Sequence, residues 1–198
     1  MKRFDKEMTY TEGEGVVERF NDGTVTYSFE EAKKVLATLK PKKLTLADAI
    51  MLILYAQPDK PIFGRILLVK EIFLLTNEVL KDEVQDGNFV PYHYGPYSFT
   101  LGNILSNLEF AGYVDRTGKR NSRLEHFKLT SKGKEVAAKI WDKVSPSVQI
   151  EIQEKRKGWD QLGVKGILKL VYKNYPKFAK ESYVKGRYKA ISWGRGIG

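Results

Sequence analysis

The stretch from Gly64 to Leu80 is the most apolar of the chain, and its apolar residues do not keep to one stripe. Ile66, Leu67, Leu68, Val69, Ile72, Phe73, Leu74, Leu75, Val79 and Leu80 cover most of a helix circumference at 3.6 residues per turn. Such a helix has to be surrounded by other segments. Arg65, Lys70, Glu71 and Glu78 interrupt it, and it falls short of the roughly 20 apolar residues that span a bilayer. The stretch is therefore read as the central core helix of a soluble domain; a dimer seam over part of it is the other way to cover the same surface.

The neighbouring segments supply the cover. Thr45 opens a helix over about Leu46 to Ala56, with Leu46, Ile50, Ile53 and Leu54 at helical spacing, and Pro58 and Pro61 stop it. After the central helix, the Gly95-Pro96 pair marks a turn and Ser98 is placed as an N-cap. The spacing predicts a helix from Phe99 to about Phe110, buried through Leu101, Ile104, Leu105 and Leu108 and ending near Gly112. The period then changes. Tyr113–Arg116 and Arg123–Leu129 flank a basic tip and read as a hairpin, and Thr130-Ser131-Lys132-Gly133 caps a helix carrying Val136, Ala137, Ile140, Trp141 and Val144.

Towards the N-terminus, a polar arm over 1–14 precedes a hairpin of Val16–Phe20 and Thr24–Phe29 around Asn21-Asp22-Gly23. Ser28 and Glu31 form a capping-box pattern for a helix reaching about Leu39. Towards the C-terminus, Asp160 is the expected cap of a helix from Gln161 to Tyr175. Val164, Ile167, Leu168 and Val171 lie on one face of it and Lys165, Lys169 and Lys173 on another.

The fold class expected is mainly α (α+β): a winged helix-turn-helix core over 46–145, an N-terminal arm, β-hairpin and helix over 1–45, and a basic helical C-terminal extension over 146–198. The half from Gly64 to Val144 resembles the YwgA-type winged-helix proteins of bacteria and archaea. The residues that carry the likeness are Gly64-Arg65, Leu68, Lys70, Phe73-Leu74-Leu75, Tyr94-Gly95-Pro96-Tyr97-Ser98, Leu101, Leu105, Leu108, Gly112 and Leu129-Thr130-Ser131-Lys132-Gly133. More distantly it is similar to the SocA or Panacea antitoxin domain. The resemblance covers about 40% of the chain, and it implies a regulator acting on DNA or on a partner protein.

Charge placement points the same way. The net charge is +10, but Met1 to Glu154 holds 22 Lys plus Arg against 22 Asp plus Glu, while Lys155 to Gly198 holds 12 against 2. A single-sign block of this kind suits a polyanion, nucleic acid first; a solvated lysine-rich surface is the plainer reading. The cations expected to hold phosphates are Arg116, Lys119, Arg120 and Arg123 at the hairpin tip, with Lys165, Lys169, Lys173, Lys177, Lys180, Lys185, Arg187 and Lys189 in the C-terminal region. Aromatics interleave with the last of these, either to stack on bases or to dock the tail on the domain.

The helix from Phe99 to Phe110 contains no Lys or Arg. On its face away from the core, Asn103 and Asn107 are the natural base readers, with Thr100 beside them. Phe99 and Phe110 on that face suit a protein contact. The expected function is accordingly a nucleic-acid-binding regulator, on DNA before RNA, held mainly by backbone contacts. The alternatives are an antitoxin-like protein-interaction module and an RNA- or ribosome-binding protein.

The inventory for catalysis is thin. With no cysteine there is no thiolate nucleophile, disulfide framework or cysteine metal site, and the composition fits a reducing compartment. The two histidines, His93 and His126, stand in no metal-binding spacing, and no phosphate-binding loop follows a strand. Glu78, Asp82, Glu83 and Asp86 read as a solvated acidic turn. Neither enzymatic activity nor a cofactor or metal is expected, and no membrane association; the chain is placed in the cytoplasm, with homodimerisation open.

Overall fold

The computed structural model describes residues 44–120, 122 and 124–182, together with the strand pairs at 7–8, 18–19 and 25–26. Two compact units divide the chain between Pro41 and Lys42. In the first, β1 (Glu7–Met8), β2 (Glu18–Arg19) and β3 (Val25–Thr26) form an antiparallel sheet in that order, with Glu18 opposite Thr26 and Arg19 opposite Val25. The expected Asp-Gly hairpin thus pairs as β2 and β3, and the arm adds β1. The helix expected after Ser28 lies outside the described residues.

The second unit is α+β. Its first helix, α1 (Leu46–Tyr55), opens on a capping box: the Asp48 N–H donates to Thr45 Oγ1 at 3.1 Å, and the Thr45 N–H donates to Asp48 Oδ2 at 2.7 Å. A two-residue strand, β4 (Ile62–Phe63), then leads into the central helix α2 (Arg65–Leu74), which continues as one π-helical turn over Leu75–Val79. Leu67, Leu68, Val69, Ile72, Phe73, Leu74 and Leu75 are all buried. The all-round apolar pattern is matched by a helix enclosed on all sides.

The segment read as a Gly-Pro turn is a small hairpin of β5 (Val90–Tyr92) and β6 (Gly95–Tyr97), reversing through His93 and Tyr94. Gly95 has φ +87°, and a Cβ there would stand 2.8 Å from the Tyr172 ring, so both backbone and space call for glycine. Helix α3 (Phe99–Phe110) follows directly, its Leu101 N–H donating to the Ser98 cap at 3.0 Å.

Strands β7 (Val114–Thr117) and β8 (His126–Leu129) form the second hairpin. β4 pairs antiparallel with β8, Ile62 opposite Phe127, giving a three-stranded sheet in the order β4-β8-β7. Helix α4 (Ser131–Trp141) is capped by Thr130, whose hydroxyl accepts from the Gly133 N–H at 2.9 Å and donates to the Gly112 carbonyl at 2.7 Å. One side chain thereby ties the start of α4 to the end of α3.

The last helix, α5 (Pro146–Asn174), corrects the sequence reading in two respects. It begins well before Gln161, and Asp160 lies inside it as an ion-pair partner, not a cap. Its break comes at Gly163, where φ is +58° and ψ −173°. Over these residues the C-terminal extension also packs on the rest of the unit. Ile152, Trp159, Ile167, Leu168 and Val171 are buried, and α5 packs on α2 while α1 packs on α4 and α3. Beyond it, Tyr175 and Phe178 meet the Phe73 ring edge-on at 4.8 and 5.1 Å between centroids, so these two aromatics dock the segment that follows α5 on the core. Tyr183, Tyr188 and Trp193 lie outside the described residues.

Candidate nucleic-acid interface

A shallow cavity of about 250 Å³ lies on the exposed side of α3, lined by Arg65, Tyr97, Phe99, Gly102, Asn103, Ser106 and Arg120. Three separate stretches build it. Arg65 is the first residue of α2, Tyr97 closes β6 just before α3, and Arg120 comes from the tip between β7 and β8. Dedicated small-molecule pockets hold about 300–1,000 Å³. A smaller, open, cation-flanked depression suits part of a larger polar ligand better than an enclosed metabolite.

The cationic side is held by an acid at its back. Glu125 is fully buried, with its Oε1 3.7 Å from Arg65 Nη2 and 3.9 Å from Arg116 Nη1. The Gly64 N–H donates to the Glu125 carbonyl at 2.7 Å, so the residue before α2 is fixed to the hairpin as well. Arg65 also lies over the Phe127 ring, 5.9 Å from its centroid. A guanidinium oriented by a buried carboxylate loses less side-chain freedom when it meets a ligand.

Aromatic rings form the other side. Phe99 is 60% exposed and meets Tyr92 and Tyr97 edge-on, with centroids 5.7 and 5.1 Å apart. Tyr92 in turn stacks on His93 at 4.0 Å. This hairpin is anchored from beneath. The Lys70 ammonium, 2% exposed, donates to the Pro96 carbonyl at 2.7 Å, and burial pulls its pKa down to about 7. Ser182 Oγ donates to the His93 carbonyl at 3.3 Å and stands 2.6 Å from the Tyr172 hydroxyl.

Asn103 is exposed and lines the cavity, and Asn107 is exposed one turn further along α3. Lys119 and Arg120 are exposed at the hairpin tip, and Arg120 reaches the cavity. Arg116 is differently employed. Its Nη2 is 3.1 Å from Glu109 Oε2, and its side chain is 19% exposed. Lys165, Lys169, Lys173, Lys177 and Lys180 are all exposed. Arg156, counted within the basic block, is fully buried against Glu71 and Asp160. Arg123, Lys185, Arg187 and Lys189 lie outside the described residues.

Sequence reasoning missed Arg65, Tyr92, Tyr97 and Glu125. Arg65 registered as an interruption of an apolar run and in the Gly64-Arg65 pair of the resemblance, not as a cation of the site; that it lines one cavity with Arg120 follows from β4 pairing with β8, which no local signal announces. The acidic turn is likewise more than a solvated one: Glu78 accepts from the Tyr175 hydroxyl at 3.3 Å and pairs with Lys155 at 3.6 Å. Among the described residues, no cluster of three or more His, Asp or Glu converges as for a metal ion, and no helix is long and apolar enough to cross a membrane. No protein-family model matches the chain, and no curated protein matches it.

Proposed function

We propose that the chain is a winged-helix regulator that binds nucleic acid, double-stranded DNA before RNA, through the exposed face of α3 and the β7–β8 wing. The observation that carries this reading is the meeting of Arg65 and Arg120 beside Asn103. A helix without a basic residue of its own acquires cations from two other elements. The order helix, strand, two helices and hairpin, with β4 added to the outer side of β8, supports a winged-helix assignment. The resemblance to the YwgA-type proteins supports the same assignment.

In this reading Arg65, Lys119 and Arg120 contact phosphates, while Asn103 and Asn107 supply base contacts. Lys165, Lys169 and Lys173, four residues apart along α5, add a sequence-independent attraction. The test is fluorescence anisotropy of the full chain on random duplex DNA and structured RNA across a salt series. Affinity falling steeply with salt, with a slope reduced by Arg120→Glu and by charge reversal at the three lysines, is expected; an unchanged affinity in both variants overturns the proposal.

One observation favours a second reading. Phe110, at the far end of α3, is 97% exposed and lines no cavity with the cations. A protein partner seated there, as for an antitoxin-like module, would co-purify with the chain and be lost on Phe110→Ala.

A further inference from the structure

We infer that the aromatic end of this cavity takes an unpaired nucleobase, so that the preferred ligand is a duplex carrying a single-stranded extension; this rests on the nucleic-acid reading above. A nucleotide has two recognisable parts, an aromatic base and an anionic phosphate. The lining of the cavity includes both complements: the Tyr97 and Phe99 rings, and the Arg65 and Arg120 guanidinium groups.

Within a duplex each base is covered above and below by its neighbours. Away from a duplex end, exposed rings at the start of α3 can therefore stack only on a base that has left the pair or was never in one. The rings are also held in place before any ligand arrives. Tyr92, Tyr97 and Phe99 brace one another at 5.1 to 5.7 Å, and the hairpin that presents the two tyrosines is pinned by Lys70. Rings fixed in this way lose little freedom on stacking. Phe110, equally apolar and more exposed, has no such ring partners among the described residues and serves as the control.

The experiment compares the full chain on a blunt duplex and on the same duplex with a short unpaired extension, at one moderate salt concentration. Stacking of one base predicts about tenfold tighter binding to the extended duplex. Phe99→Leu keeps the apolar contact and loses the π face, so it should abolish that preference, read as the ratio of the two affinities; Phe110→Ala should keep the preference. A 2-aminopurine at the first unpaired position should change emission on binding wild type and not on binding Phe99→Leu. Equal affinity for the two duplexes, or a preference surviving in Phe99→Leu, overturns this inference and leaves nucleic-acid binding standing. Binding to neither duplex overturns both.

Discussion

The Nε of Arg156 lies 3.2 Å from Oε2 of Glu71, and neither side chain is exposed to solvent. Asp160, one turn along α5, pairs with the same guanidinium and stands 3.3 Å from Lys60 Nζ. The contact fixes α5 against α2 at one rotation and one height, because a buried charge displaced from its partner has no water to turn to.

Removing the guanidinium should therefore cost far more than losing one packed side chain. Arg156→Leu leaves Glu71 and Asp160 without their shared cation, and a loss of about 3–5 kcal/mol is expected in urea unfolding above about pH 8, where Glu71 as well as Asp160 is charged. A loss under about 1 kcal/mol would show that water reaches the pair.

Two adjacent residues of α2 should give stability opposite dependences on pH. Burial raises the Glu71 carboxyl from 4.5 to about 8, and Arg156 and Lys60 offset this only in part. The folded state then holds a proton that the unfolded chain has lost, so this contribution is complete below pH 4.5 and falls away as pH rises to about 8. Burial lowers Lys70 from 10.5 to about 7; its contribution is complete above 10.5 and is lost as pH falls through 7. Unfolding free energies measured from pH 5 to 10 should lose the fall in Glu71→Gln and the rise in Lys70→Met.

Gly95→Ala should destabilise by about 1–3 kcal/mol, since alanine is strained at φ +87° and its methyl would press on the Tyr172 ring. Thermal melts check the stability. Retention of the wild-type melting temperature would mean that the β5–β6 hairpin moves away from α5 at little cost.

Because α5 contributes to the core, Trp159→Ala should cost about 3–5 kcal/mol. Substituting the exposed Lys165, Lys169 and Lys173 with Gln should change stability by no more than about 0.5 kcal/mol. Denaturant titration of both variants separates the packing of the stretch before the Gly163 kink from the exposed charge of the stretch after it. The charge is thus to be dissected by point substitution, because deleting 146–198 would remove Ile152, Ile167 and Val171 from the core and uncover the side of α2 on which α5 packs.

The two hairpin arginines should separate in a salt titration. Arg120→Ala is expected to lower the slope of log affinity against log salt by about 0.9, the value for one phosphate contact. Arg116→Ala should leave the slope nearly unchanged and reduce stability, because Glu109 and Glu125 already engage that side chain. Equal changes in slope would place both on the ligand.

Local order was legible wherever one residue type performs a local task. Thr45, Ser98 and Thr130 cap the helices expected of them, and the hydrophobic spacing located α1 and α3 to within a residue, while α4 ends at Trp141, short of the expected Val144. These signals work because a cap or an apolar stripe acts within one or two turns. The sequence by itself determined that Gly64–Leu80 is enclosed and that the chain's excess charge is C-terminal. Only the tertiary structure decided that Lys70 and Glu71, two breaks in an apolar run, face a carbonyl and a guanidinium inside the core. The same holds for Arg65, which shares a cavity with Arg120 only through the pairing of β4 with β8. Each of these outcomes depends on a partner tens of residues away, and the energy of burying a charge is set by that partner and not by the neighbours in sequence.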